Sequence, residues 1–348
     1  MALWLVRAGK YGEHEQHFLD TDRVYLTWGA LNYTDLTKEE TYDDIKEIIR
    51  EVESPDATSG KIANNAGQVW AFVLAMNVGD WVVLPLKTKS AIAVGEIKSK
   101  FIYDENAAAP YRSWRDVRWL TKGVPRSAFD QDLLFSFGSS LTICQIRRND
   151  AENRVRQMAQ NNWRSTVQAF TPGKEAATDA GAPEEIVDLE RLARDSIARL
   201  IIGKFKGHGM ERLVEAILKA QGYTTYRSPE GADKGVDILA APGPLGFGRP
   251  RICVQVKSQE SPVDRPTLDQ LLGTMQNVHA DQGLLVSWGG FKTSVEREIA
   301  NQFFRVRLWD QDALIKELLE HYGQLDEDLR AEIPLKRIWT VATQEEGE

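Results

Sequence analysis

Cysteine is scarce: Cys144 and Cys253 are the only two in 348 residues. Each falls within an apolar strand pattern, so reduced core thiols are expected rather than a bridge or a metal pair, and a small disulfide-stapled scaffold is excluded. No apolar run approaches the ~20 residues that a membrane-crossing helix needs. The opening Met1-Ala-Leu-Trp-Leu-Val-Arg7 lacks a basic leader followed by an apolar core and a cleavage site, so a cytoplasmic location without a membrane partner is expected. An excess of positive charge is also missing, with 43 Lys and Arg against 51 Asp and Glu, a net charge of −8. That argues against a protein that coats nucleic acid nonspecifically, although an acidic DNA enzyme can still gather its basic residues on one face. There is no internal repeat.

What is present is a chain of 42% hydrophobic and 27% charged residues, long enough for two domains. Its most informative stretch is Gly231-Ala-Asp-Lys-Gly-Val-Asp-Ile-Leu-Ala-Ala241, followed after a Gly/Pro-rich turn by Arg251-Ile-Cys-Val-Gln-Val-Lys257. Both halves read as strands, and the turn residues from Pro242 to Pro250 let the second fold back beside the first. Side chains in a strand alternate between faces, so Gln255 and Lys257 leave on one side while Val254 and Val256 pack on the other. An acid at one strand end, with an amide oxygen and an amine two residues apart on its neighbour, suits metal-assisted phosphodiester cleavage. Asp237 can bind a hard divalent cation, the Gln255 side-chain oxygen can face the same ion, and Lys257 can orient an attacking water or steady phosphate charge.

These residues resemble the PD-(D/E)XK nuclease superfamily, and specifically the Mrr-like restriction endonuclease catalytic domain, in which Gln replaces the second acid of the motif. Upstream, His208-Gly-Met-Glu-Arg-Leu-Val-Glu-Ala-Ile-Leu-Lys-Ala-Gln-Gly-Tyr223 is similar to the family's first helix, with Met210, Leu213, Val214, Ile217 and Leu218 at helical spacing. Downstream, 263–273, 283–287, 291–300, and 307–310 with Leu314 follow the family's order of helix, strand, helix, strand. The likeness runs over roughly residues 205–322. It implies an α/β domain with a mixed central sheet flanked by helices, a magnesium cofactor with manganese as a substitute, and Glu211 as a further metal ligand beside Asp237 and Gln255. Asp233 can also be an ordinary turn residue, and Glu215, one turn beyond Glu211, reads as a solvated or salt-bridged helix residue.

The first part of the chain reads as an α+β domain: strands near Trp4–Arg7, 24–29, 79–85, 91–98 and 115–119, helices over 38–52 and 61–76, and a short helical or turn segment at 139–146 that closes it. A small curved, barrel-like sheet is expected. Val24-Tyr-Leu-Thr-Trp-Gly-Ala-Leu31, Gly79-Asp-Trp-Val-Val-Leu-Pro85, Ile92-Ala-Val-Gly-Glu-Ile97 with Tyr103, and Arg115-Asp-Val-Arg-Trp119 resemble the PUA-like superfamily, particularly its EVE branch. That resemblance implies a pocket for a flipped, often modified, nucleobase. A base taken out of the helix needs aromatic faces to replace its stacking partners and a polar group to read its edge. Trp28 lies ahead of Asn32 and Asp35, where the two could meet; Trp81, Tyr103 and Trp114 are further candidates. Against each stands its use as a core or rim aromatic. Arg112, Arg115, Arg118 and Lys122 interleave with Trp114 and Trp119, as a surface contacting the DNA backbone would, or equally as a solvated strand face.

The expected domains are 1–165 for recognition, 166–184 as a flexible linker poor in large apolar residues, 185–325 for the nuclease, and 326–348 as an acidic tail. A helix over 185–202 should turn Ile186, Leu189, Leu192, Ile197 and Leu200 inward. Together these point to a modification-dependent restriction endonuclease acting on double-stranded DNA in anti-phage defence. Because one active site cuts one strand, a homodimer or higher assembly on DNA is expected. Two alternatives stay open: a nuclease switched on by a signalling nucleotide or protein partner bound to the first domain, and a catalytically silent DNA-binding protein.

Overall fold

The computed structural model describes residues 1–139, 141–164, 188–229 and 235–339; the expected linker, Ile186, Asp233 and the end of the tail lie outside the described residues. The chain divides into two compact units, Met1–Leu192 and Ala193–Thr340.

The first unit runs β1 (Leu3–Val6), α1 (Glu15–Thr21), β2 (Arg23–Tyr25), α2 (Tyr42–Val52), α3 (Ser59–Trp70), β3 (Trp81–Pro85), β4 (Ala91–Ile97), β5 (Ile102–Tyr103), β6 (Ser113–Pro125), α4 (Gln131–Phe137), β7 (Ile143–Gln145) and α5 (Ala151–Gln160). Its seven strands form a curled half-barrel in the order β2-β6-β4-β3-β1-β7, with β5 added on β6. Both faces of the sheet are covered, which is why β1 is a continuous apolar run: Trp4 and Val6 join one core with α2 and α3, while Leu3 and Leu5 join another with α4 and α5. Asp80 ties the first strand in place. Its buried carboxylate accepts the N–H of Ala2 at 2.8 Å and the indole N–H of Trp4 at 3.0 Å.

Helix α2 begins later than residue 38, because Thr41 and Asp44 form a reciprocal capping box that fixes its start. The helix read over 61–76 is α3 followed by a π-helical turn at Ala71–Ala75. The segment at 139–146 differs from expectation: Ile143–Gln145 pairs antiparallel with β1 as the edge strand, with Ile143 packed in one core and Cys144 and Ile146 in the other. The strand from Val24 stops at Tyr25, and Trp28 caps a 3-10 turn at Gly29–Leu31.

The second unit contains α6 (Leu189–Lys204, its first turn preceding the unit boundary), α7 (His208–Ala220), β8 (Tyr223–Arg227), β9 (Ile238–Pro242), β10 (Ile252–Lys257), α8 (Arg265–Asn277), β11 (Gln282–Ser287), α9 (Thr293–Ile299), β12 (Val306–Trp309), α10 (Gln311–His321) and α11 (Glu327–Glu332). The mixed sheet runs β12-β11-β10-β9-β8: β10, β11 and β12 are parallel, whereas β8, β9 and β10 are antiparallel neighbours. Helices cover both faces. Val254 and Val256 pack with α7 and α10, and Cys253 packs with Leu268, Leu271 and Met275 of α8. This is the helix-flanked mixed sheet expected of the C-terminal part.

Two expectations here are corrected. The buried stripe of α6 is Asp195, Ala198 and Ile201, continued by Phe205, so Leu189 is exposed and Ile197 and Leu200 are only partly covered. The phase is set by which residues reach the core below, not by the helix's apolar content alone. The tail also folds back: Leu325, Leu329 and Ile333 are buried in the core of the second unit, and α11 is capped by Asp326 accepting the Leu329 N–H.

Candidate active site and candidate base pocket

The site is built at the end of β10. Asp237, just ahead of β9, donates its N–H to the Val254 carbonyl at 3.1 Å, and its Oδ2 accepts the Val256 N–H at 2.6 Å. Gly235 permits the turn that brings it there: φ is +71°, and a Cβ would come within 3.2 Å of the Thr274 hydroxyl and 3.3 Å of the Gln270 amide. Beyond Lys257, Ser258 accepts the Gly207 N–H in its Oγ at 3.0 Å, which pins the start of α7 to the end of β10. Trp288 N–H donates to the Lys257 carbonyl at 2.8 Å, tying the same strand end to β11.

Burial raises the Asp237 carboxyl above its ordinary value, and the negative charge of Glu211 raises it further; the Val256 N–H, Lys257 and His208 pull the other way. Asp237 therefore lies within electrostatic reach of Glu211, Lys257 and His208. The thiol of Cys253 is pushed up to about 11 by burial and then by the charge of Asp237. The antiparallel register sets Val254 opposite Ile238 and Cys253 opposite Leu239, so Asp237 comes opposite Gln255, on the side of the sheet shared by residues 253, 255 and 257. Gln255 is 1% exposed, and its Oε1 has no hydrogen-bond partner. A buried amide oxygen left unmatched costs about 1–3 kcal/mol, and a hard cation between it and two carboxylates would remove that cost. The donor set is all oxygen, as magnesium or manganese requires.

Sequence reasoning passed over His208. It is exposed at the first turn of α7, three residues before Glu211 and on its face, with Nδ1 3.0 Å from the Glu211 carboxylate. The spacing was the available signal. Glu215 is taken up by Lys219, Arg227 and Thr225, matching its reading as a salt-bridged residue. Among the described residues, the one set of three acidic or histidine ligand atoms within 4.8 Å of one another is Glu317, Glu320 and His321 on the surface of α10.

In the first unit the candidate pocket residues separate. Trp28 packs against the core that contains Trp4, whereas Trp81 packs on the opposite face of the sheet, under the guanidinium of Arg156 at 4.3 Å. They cannot form one cage. Ile102 faces the same core as Trp28, so Tyr103 next to it points away. Trp114 is a core residue, 8% exposed, with Arg23 over its ring. Asp35 caps the turn at Leu36–Lys38; bonds from the Thr37 hydroxyl and N–H hold its carboxyl below the ordinary value. What remains is Trp28 and Asn32, at the two ends of the 3-10 turn. Asn32 is 5% exposed, and its Oδ1 has no partner.

Arg115 is the clearest correction. It is buried, not a DNA contact: its guanidinium donates to the carbonyls of Phe72 at 2.6 Å, Val73 at 2.9 Å and Ser99 at 3.1 Å. The carbonyls of Phe72 and Val73 are ones that the π-helical turn leaves over. Burial lowers its pKa to about 10, with Asp80 opposing the shift. Arg112 lies over the Tyr33 ring at 4.5 Å, and Arg118 is exposed and paired with Glu96.

Residues 202–318 match the Mrr_cat family model, described as a restriction endonuclease, and residues 4–140 match a model of a domain of unknown function, DUF8426. No curated protein matches. Among solved structures, the DNA modification-dependent restriction endonuclease AspBHI is 11% identical, with a TM-score of 0.33, 81% of this chain and 76% of that chain covered. The MspJI restriction endonuclease in complex with a 27-mer oligonucleotide is 16% identical, with a TM-score of 0.32 and coverages of 96% and 80%. No helix of the described residues is long and apolar enough to cross a membrane.

Proposed function

Since residues 202–318 form a restriction endonuclease domain of the Mrr_cat family, we propose that this chain is a metal-dependent endonuclease that cuts modified double-stranded DNA, sensed through its first unit, in defence against phage. What supports the cutting half is the buried, unpartnered Oε1 of Gln255, on a strand that carries Lys257 on the same face and whose Val256 N–H holds the Asp237 carboxylate. Asp237, Glu211 and Gln255 would hold magnesium or manganese. The bound ion would stabilise the charge developing on the phosphate and acidify a water. The chain's own residues do the rest. The Val256 N–H occupies Asp237 Oδ2 and holds the carboxylate still. Lys257, two residues from Gln255 on the same face, offers an ammonium to the attacking water or to a phosphate oxygen.

The recognition half rests on Trp28 and Asn32. A buried acceptor without a donor at Asn32, one 3-10 turn from the half-buried Trp28, suits the exocyclic amine of an extruded base. Two copies on one duplex would cut both strands. Digestion of matched DNA carrying cytosine, 5-methylcytosine, 5-hydroxymethylcytosine or its glucosylated form, with magnesium present or chelated, tests the whole reading. Cleavage that needs the metal and prefers one modified form supports it; cleavage in chelator, or equal cutting of all four, refutes the corresponding half.

A further inference from the structure

The second unit has a cavity of about 220 Å³ at the opposite end of its sheet from Lys257, between the C-terminal turn of α7 and the first residues of β10, β11 and β12. Ile252 lines it and Lys257 ends the same strand, so along β10 the two places are about 17 Å apart. Nothing in the cutting mechanism uses this cavity. Tyr223 and Trp309 give it aromatic wall, Phe304 stands at its rim 87% exposed, and Arg305 and Arg307 both line it. Arg307 is engaged, lying over the Phe303 ring and donating to the Val306 carbonyl. Arg305 is exposed, and its guanidinium has no hydrogen-bond or ion-pair partner among the described residues. Gln221, also in the wall, gives its amide N–H to Glu317.

We propose that this cavity binds one nucleotide unit, with its base against Phe304 and the aromatic wall and its phosphate on Arg305. Flat apolar surface beside a free guanidinium fits a ring that carries an anion, since arginine is the planar donor best matched to phosphate oxygens. The volume falls short of the ~300–1,000 Å³ of sites for drug-sized ligands, which limits the occupant to a single unit. A free nucleoside monophosphate and one residue of a DNA strand share this chemistry.

The test uses the full chain in chelator, titrated calorimetrically with AMP, with dCMP, with deoxycytidine, and with a short single-stranded oligonucleotide. The expected result is binding of a monophosphate or of the oligonucleotide that weakens at least tenfold in Arg305→Gln and again in Phe304→Ala, with deoxycytidine at least tenfold weaker than dCMP. Dependence on Arg305 for the free monophosphates assigns a diffusible nucleotide, and dependence for the oligonucleotide alone assigns a DNA strand. Arg305 and Phe304 are both exposed, so unchanged thermal midpoints are expected to confirm folding. Binding that ignores both substitutions, or no binding of any of the probes, overturns the proposal.

Discussion

The Oδ2 of Asp237 accepts the N–H of Val256 at 2.6 Å, which fixes the acid to the strand position that lies between Gln255 and Lys257. Rotation of the carboxylate would break that bond, so the acid is held in place by backbone rather than by another mobile side chain.

Asp237→Asn keeps an oxygen for the Val256 N–H but removes the charge. We expect DNA cleavage to fall at least about a hundredfold, roughly 2.7 kcal/mol of transition-state stabilisation, while the thermal midpoint in chelator stays level or rises. A variant that cuts at the parental rate in a timed digestion would remove Asp237 from the mechanism.

The raised pKa of Asp237 sets a pH dependence. In the metal-free protein the folded state holds the proton more tightly than the unfolded chain does. The stability this confers is complete below the ordinary carboxyl value and lost as pH rises through the folded value. Calorimetric unfolding in chelator should therefore show this loss with rising pH, and Asp237→Asn should reduce it. Cation binding runs the other way: lowering the pH protonates Asp237 earlier than an ordinary aspartate, so apparent manganese affinity should weaken sooner.

Gln255→Glu adds a negative charge at a buried position facing the proposed ion. Metal titration should show tighter cation binding in the variant than in the parent. Tighter binding by the parent would mean that the amide oxygen does not face the ion.

Arg115→Ala leaves three carbonyls without their shared donor. Chemical denaturation should show a loss of at least about 3 kcal/mol in the first unit, since bonds to charged groups contribute about 1.5–3 kcal/mol each. At a temperature where the variant remains folded, DNA affinity should match the parent's, because the side chain is 2% exposed.

Asn32→Ala tests the recognition half separately. The preference for the best modified substrate over unmodified DNA should fall roughly five- to a hundredfold, about 1–3 kcal/mol, for the lost donor–acceptor pairing, with cation binding unchanged. An undiminished preference would move the pocket elsewhere.

The catalytic hairpin was legible because strand alternation follows from the backbone alone: once 252–257 is a strand, Gln255 and Lys257 must share a face. The helical face of Met210, Leu213, Val214, Ile217 and Leu218 was legible for the same kind of reason, and all five are buried. What could not be read depended on partners distant in sequence. Trp28 and Trp81 look alike in one dimension, and only the sheet order puts them on opposite faces. Arg115 sits in a strand with Arg118 and looks equally available, but two of the three carbonyls that hold it belong to the turn at 71–75, more than forty residues earlier. The edge strand β8 went unnoticed because Tyr223-Thr-Thr-Tyr-Arg227 directly follows a helix and has little apolar content.

The return of α11, the last helix among the described residues, bears on Glu211. Arg212, its immediate neighbour on α7, is paired with Glu332, while Lys204 at the end of α6 donates to the Glu332 carbonyl at 2.7 Å. Tyr322 locks that segment by donating its hydroxyl to the Ile333 carbonyl and accepting the Leu335 N–H. A residue some hundred and twenty positions downstream thus acts as a latch on the helix that carries a proposed metal ligand, so breaking the pair with Glu332→Ala is expected to loosen the seat of Glu211 without altering Asp237, Gln255 or Lys257.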